Sequence, residues 1–377
     1  MNPSTAGISR RILLIAAVGA VALPGLAHAA PGAQEGFHDV GSLAGPGTAS
    51  ESVDINDRGD VVGVTALPGT AVSHAFITNP RVQGGRLVDL MPSEPRSSRA
   101  DAVNRFGVVA GTLGLGLPSS TASGEPLKPF VWSARTGIEV LPLPPGAFGA
   151  LSVDINDRGT VLVVGTNDVP DPNVPGVNFP IGSFLWNPAT RTYTRLPTPD
   201  PPVPGAVALA RKLDERGGAT GGVIVPIDAV AWRHTGVVWD PVTHTPHTLA
   251  NGGTTDSFAS DRNENGMIVG WRSNGAMPTA VYWPSRTAEP VELPGRVASE
   301  VNDRGQIAGA KDLPGSAFPF SSVVWEPLRG RTTELRDNSL GSYVVAINAS
   351  GRTAGYALAA ADGRTHTTAG WWEAPRR

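Results

Sequence analysis

Short apolar runs and polar turns alternate along the chain on a long, fixed period. A β-branched run, then Asn or a neighbour, polar residues and Gly recur seven times. The copies are Val53-Asp54-Ile55-Asn56-Asp57-Arg58-Gly59, Ala102-Val103-Asn104-Arg105-Phe106-Gly107 and Asp154-Ile155-Asn156-Asp157-Arg158-Gly159. Lys212-Leu213-Asp214-Glu215-Arg216-Gly217, Arg262-Asn263-Glu264-Asn265-Gly266, Val301-Asn302-Asp303-Arg304-Gly305 and Ile347-Asn348-Ala349-Ser350-Gly351 follow. In the fourth copy Leu213 is read at the Asn position, before a Gly-rich second strand at Gly217–Gly222. From Asn56 to Asn348 is 292 residues over six intervals, about 49 per repeat. That period belongs to a propeller blade of four strands.

Each beat leads into the same sequence of elements. A short β-branched strand follows, such as Val61-Val62-Gly63 or Met267-Ile268-Val269-Gly270, then a variable loop. An apolar run then closes on Trp132, Trp186, Trp239, Trp283 or Trp325. A turn such as Trp239-Asp240-Pro241 leads to a last short segment ending in Leu90, Leu141, Leu196, Leu249, Leu293 or Leu335. Four apolar segments bounded by turn residues predict four antiparallel strands. The beat is then the hairpin between strands one and two, with Asn folded onto the backbone and Gly at positive φ. The seventh copy lacks the Leu-ending segment, whereas Phe37–Leu43 is a stray one ahead of the first beat. The expected fold is all-β: a seven-bladed propeller whose amino-terminal strand completes the last blade and uses up both sheet edges. A β-solenoid is the alternative.

An EF-hand-like calcium loop is the competing reading of the beat, but Arg58 and Arg158 stand where such a loop needs an oxygen ligand. The Trp residues, one per blade at a strand end, are expected to pack between blades rather than form an exposed ladder.

The I-N-x-x-G beat, the V-V-G strand, His74-Ala75-Phe76-Ile77 and Val88-Asp89-Leu90 together resemble the HAF repeat family of extracellular proteins, over roughly Phe37 to Trp372. Other repeats carry Pro129-Phe130, Ser183-Phe184 or Val-Val-Trp in place of His-Ala-Phe. The resemblance implies export and a propeller-like fold. It implies no defined reaction and carries no catalytic residues.

Composition adds a compartment. Arg10 and Arg11, the apolar run Ile12–Leu26 and Ala27-His28-Ala29 read as a signal peptide over residues 1–29, exported through a Sec or twin-arginine route. Residues 30–377 then form one propeller domain of a secreted protein with no membrane span. The chain has no cysteine, which excludes disulfides, thiolate metal sites and a cysteine nucleophile. Its net charge is −3, or −5 without Arg10 and Arg11, with no basic cluster for nucleic acid. Gly 46 and Pro 35 supply many turns and argue against long helices.

The sequence has no G-x-S-x-G elbow, H-E-x-x-H pair or phosphate loop. His244 and His247 are the one close histidine pair, and Pro246 between them argues against zinc. No metal or cofactor is expected. Antiparallel blades place the beats and the Trp-x-Pro turns on one face, and the long polar loops on the other, where function commonly sits. Ser119, Ser120, Thr121, Glu125, Asn167, Asp168, Asp171 and Asn173 are the candidate ligand-binding residues there, beside blades two and three. The expected function is a monomeric, non-catalytic scaffold binding an extracellular glycan, peptide or protein. The alternative is a propeller hydrolase or lyase on an extracellular polymer, which calls for carboxylates and a histidine at one channel mouth.

Overall fold

The computed structural model describes residues 36–78, 87–117, 125–170, 177–200, 203–227, 232–275, 277–314, 320–335, 339–361 and 364–373. The expected signal peptide, 1–29, lies outside them. The described chain forms seven separate four-stranded antiparallel sheets, and one 3-10 turn, Pro327–Arg329, interrupts the strands. The sheets are the blades of a closed seven-bladed β-propeller.

The innermost strands of blades 1 to 7 are Ser50–Ile55, Ser98–Val103, Gly149–Ile155, Val207–Leu213, Asp256–Arg262, Val297–Val301 and Ser342–Ile347. Blade 7 completes itself with the amino-terminal strand Phe37–Asp39, which pairs Phe37 with Trp372, His38 with Trp371 and Asp39 with Gly370. The predicted closure is therefore present. Phe37 packs on Trp372 with ring centroids 4.8 Å apart, and Trp371 is held between His38 at 3.8 Å and the Arg352 guanidinium at 4.1 Å.

The apolar positions pack where the blades meet. Trp239, Trp283, Trp325 and Trp372 are among the largest fully buried side chains, as the one-per-blade spacing predicts. Trp239 joins Leu162 and Leu185 of the preceding blade in one cluster, and Trp325 joins Val269 and Ala280 of its own. Two indoles also donate from Nε1 to the carbonyls of Pro197 and Ala250 in the links between blades, at 2.8 and 2.7 Å.

The beat is a turn, and it is also the joint between blades. In the first copy Asn56 Oδ1 accepts from the backbone N–H of Arg58 and of Asp60, both at 3.0 Å, and Gly59 sits at φ +81°. The Asn56 Nδ2 donates to the Asn104 carbonyl of the next blade at 2.9 Å. Asn104 reaches Asn156, Asn156 reaches Asp214, Asn263 reaches Asn302 and Asn302 reaches Asn348 in the same way. Asn348 closes the circle by donating to the Asn56 carbonyl at 3.1 Å. The next residue adds a second clasp wherever the following blade offers an acid there, as between Ala349 N–H and Asp57 or Asp157 N–H and Glu215.

The fourth repeat needs a correction. Asp214, not Leu213, occupies the Asn position, since Gly217 N–H bonds the Asp214 carbonyl as Gly59 N–H bonds that of Asn56. Its second strand is Ala219–Pro226 rather than Gly217–Gly222. Asp has no amide to donate forward. Arg262 of blade 5, where other blades carry an aliphatic residue, reaches back to the Asp214 carboxylate instead.

Candidate functional site

The inner strands place a band of charge along the ring axis. All seven carry a register shift at the same place, three residues before the beat, between Ser52 and Asp54, Ala100 and Ala102, Ser152 and Asp154 and so on round to Val344 and Ala346. Such bulges re-aim side chains. The residues two before the beat are Asp54, Ala102, Asp154, Lys212, Asp261, Glu300 and Ala346.

The four acids of that layer clasp the next blade. Asp54 accepts from Val103 N–H at 2.8 Å, Asp154 from Leu213 N–H at 2.7 Å, Asp261 from Val301 N–H at 2.9 Å and Glu300 from Ile347 N–H at 2.7 Å. Lys212 is the cation of the layer. It pairs with Glu300 two blades away and lies 3.8 Å from Asp154. Burial opposes its charge, but Glu300, Asp154, Asp54 and Asp261 hold it protonated well above the usual lysine value. Burial pushes the Asp154 carboxyl up to about 6 against the pull of Lys212, and burial also raises Glu300 and Asp261.

A second layer has its own pairs. Arg99 binds Asp101, which also accepts from Thr112 at 2.6 Å. Burial pushes Glu51 up to about 7, although Thr367 donates to it at 3.2 Å and Arg99 attracts it. A cavity of about 100 Å³ lies on the axis among these residues, with walls from Val53, Arg99, Val153, Leu209, Arg211 and Phe258. The described histidines lie elsewhere. His74 is fully buried in blade 1, with Nδ1 3.0 Å from Asp89 and Nε2 2.9 Å from the Glu94 carbonyl, so the His-Ala-Phe residue ties the third strand to its neighbours. Among the described residues no group of three or more His, Asp and Glu is arranged to hold a metal ion.

On the long-loop face, Ser119, Ser120, Thr121, Asp171 and Asn173 lie outside the described residues. Glu125 is exposed and pairs with Arg96 Nη1 at 2.9 Å, while the Arg96 Nε binds Glu94. Asn167 is occupied locally: its Oδ1 accepts from Val169 N–H at 2.9 Å and its carbonyl from Asn178 Nδ2 at 2.8 Å. Asp168 is exposed toward the end of Val161–Pro170. The flanks of the loops of blades 2 and 3 share one apolar cluster, Leu115, Leu127, Leu151 and Val177. Sequence reasoning missed Glu51, Arg99, Asp101, Arg211 and Lys212. The signal for the last two was available, because aligning the beats puts Arg211 in a column with Val53, Asp101, Val153, Ser260, Ser299 and Val345, and Lys212 in a column of four acids and two alanines.

The sequence matches no protein-family model and no curated protein. Solved structures do match in shape. The β-propeller domain of the Trilobed protease from Pyrococcus furiosus has 11% identity and a TM-score of 0.54, over 85% of this chain and 93% of that one. The tricorn protease gives 10% identity and 0.53, over 91% of this chain but 34% of that one. The acylaminoacyl peptidase of Pyrococcus horikoshii gives 11% and 0.54, over 90% of this chain and 54% of that one. Identities this low speak for the fold alone. The first of these is described as having an open velcro topology, whereas here the Phe37–Asp39 strand seals the ring.

Proposed function

We propose that the protein is a secreted, non-catalytic scaffold that binds an extracellular glycan, peptide or protein through its long-loop face. The observation that carries this reading is the commitment of the axial carboxylates. Asp54, Asp154, Asp261 and Glu300 each hold a backbone N–H of the next blade, and Asp101 holds Arg99 and Thr112. Acids already spent on joining blades are poorly placed to turn over a substrate, and none of the described histidines lines the axial cavity. The long-loop face carries an apolar rim at blades 3 and 4 instead. Phe148, Val169, Val203 and Ile227 are exposed there, and the partly exposed Phe179 and Trp232 meet across the two blades at 5.9 Å. Aromatic and apolar groups on a rigid frame suit adhesion to sugar faces or peptide side chains.

Membership of the HAF repeat family, cleavage after residue 29 and a monomeric state belong to the same proposal. The first is supported by the beats and His74-Ala75-Phe76-Ile77, and the second by the Arg10–Ala29 segment. Glycan and peptide arrays probed with secreted protein test the binding reading, and Trp232→Ala should weaken any hit. The hydrolase reading draws on Glu51, whose carboxyl at about 7 lies in the range of a general acid. Breakdown of an extracellular polymer that stops in Glu51→Gln would replace the scaffold reading with that one.

A further inference from the structure

Among the described charges of the axial layers, Arg211 stands out because, unlike Arg99 and Lys212, it is bound by no acid. The bulge that sets Val53, Val153 and Val345 beside the cavity puts a guanidinium in the same place in blade 4. Lys212 next to it is bound by Glu300 and Asp154, and Arg99 opposite is bound by Asp101. Among the described residues none forms a hydrogen bond or ion pair with the Arg211 side chain. Its surroundings disfavour the charge only in part, since the residue keeps some solvent exposure. Burial pushes Arg211 below the usual arginine value, and the like charge of Arg99 adds to this, against attraction from Tyr343, Glu300 and Asp154. Glu300 and Asp154 answer already to Lys212 and to the backbone of the next blade. Arg211 is only partly buried, and a guanidinium on the cavity wall is shaped to take a carboxylate by two parallel bonds.

The rest of the lining is mixed. Arg99, Asp101, Ser152 and Lys212 supply polar groups, while Leu209, Phe258, Val53 and Val345 form apolar walls, and Phe258 is itself braced by Trp271 stacked 6.2 Å away. A cavity of about 100 Å³ has room for the head of a small organic acid rather than a single ion. We propose that the axial cavity is a carboxylate-binding site, in which Arg211 anchors the acid group and Leu209, Phe258 and Val345 hold an apolar body. The site goes beyond the long-loop reading and stands or falls separately from it. Two sources offer this chemistry: a free apolar acid and the carboxy-terminal residue of a peptide.

Calorimetric titration of the whole protein tests it with 3-phenylpropanoate, with N-acetyl-Gly-Gly-Phe, and with the amide of each. At least one acid should bind, with its amide weaker by on the order of tenfold or more, since the amide loses the charge-assisted pair. Binding of the free acid alone would assign a small metabolite-like ligand, and binding of the tripeptide acid would assign a chain end. Arg211→Leu should abolish the binding while leaving the melting temperature close to that of the parent, because the partly buried guanidinium has no protein partner to lose. Arg211→Lys, with a point charge and no fork, should bind several-fold more weakly than the parent. The proposal is overturned if neither acid binds, if acid and amide bind alike, if Arg211→Leu binds as the parent does, or if that variant melts well below it. A glycan or peptide retained on the long-loop face by Arg211→Leu would show that the surface reading survives such a failure.

Discussion

Two joints of the ring depart from the common pattern, in opposite ways. At the seam the covalent chain is broken, since blade 7 takes its outer strand from Phe37–Asp39 rather than from residues following Trp372. Yet the clasps that the other joints use are present there too. Asn348 reaches Asn56, Ala349 reaches Asp57, and Ser50 Oγ accepts from Ala369 N–H at 3.0 Å, as Ser98 accepts from Ala75 in blade 1. At blades 4 and 5 the chain is continuous but the chemistry is replaced. Asp214 stands for Asn, Arg262 for an aliphatic residue, and the amide-to-carbonyl bond becomes a partly buried ion pair. The contrast teaches that adjacency is encoded in the beat and not in the connection. A local substitution survives when the neighbouring beat supplies a matching one.

The largest expected effect breaks the seam itself. Deleting residues 30–44 removes the outer strand of blade 7, uncovers Trp372 and leaves the backbone of Gly370–Trp372 as a bare edge. Loss of cooperative thermal unfolding and aggregation on purification are expected, because an unpaired edge recruits other chains. A deletant that melts within a few degrees of the parent would mean the strand is not the clasp.

The other joint breaks next. Arg262→Met keeps the side-chain bulk but strands the Asp214 carboxylate, which then has only the backbone N–H groups of Arg216 and Gly218. Removing one partner of a fully buried pair costs about 3–5 kcal/mol, so this partly buried one should lose less, on the order of 2 kcal/mol, measurable by urea unfolding. Asp214→Asn added to Arg262→Met should restore most of that loss, since it rebuilds the pattern of the other joints. Additive losses in the double variant would refute the compensation.

A third test reads the seam by pH. Glu51 meets Thr367 across it, with its carboxyl at about 7 in the folded protein against an ordinary value of 4.5. The folded state therefore holds this proton more firmly than the unfolded state does. The stability that this proton supplies is present in full below 4.5 and is lost as pH rises through 7. Glu51→Gln keeps an acceptor for Thr367 without the charge. It should stabilise by roughly 3 kcal/mol above pH 8 and by almost nothing near pH 4. A gain of equal size at both pH values would place its origin elsewhere.

Much of this architecture was legible because each repeat spends the same residue type at the same spacing. The buried Trp239, Trp283 and Trp325, the Gly59 turn and the orphan strand at Phe37 follow from position alone. The bulge was hidden because it recurs in all seven inner strands, so it never disturbs the period. The clasp function of Asn56 was hidden because the same oxygen and nitrogen serve a local turn and the next blade at once. Asp54 stood in the sequence only as part of the beat, yet its carboxylate crosses to Val103. The channel chemistry lay in two columns of the alignment where blade 4 alone is basic. The long-loop candidates rest on loop length, which says where a ligand has room but not which side chains meet it.

The smallest effect tests the comparison most directly. Asn302 and Asn348 hold neighbouring joints, one inside the continuous chain and one at the seam. Asn302 accepts from the N–H groups of Arg304 and Gln306 and donates to the Asn348 carbonyl at 3.0 Å. Asn348 accepts from those of Ser350 and Arg352 and donates to the Asn56 carbonyl at 3.1 Å. Alanine at either site strands two turn donors, one carbonyl and one side-chain partner, Gln306 Oε1 for Asn302 and the Ser350 hydroxyl for Asn348, so each should cost on the order of 2 kcal/mol. If the seam is chemically an ordinary joint, the two losses agree to within about 0.5 kcal/mol, the scatter expected of equivalent sites. Breaking Asn348 opens no loop that Asn302 would keep closed, because Phe37–Asp39 still pairs with Gly370–Trp372. A much larger loss for Asn348→Ala would instead make the beat the true latch of the ring, with the borrowed strand secondary to it. Urea unfolding of the two variants at one pH, with the slopes compared as well as the midpoints, separates the cases.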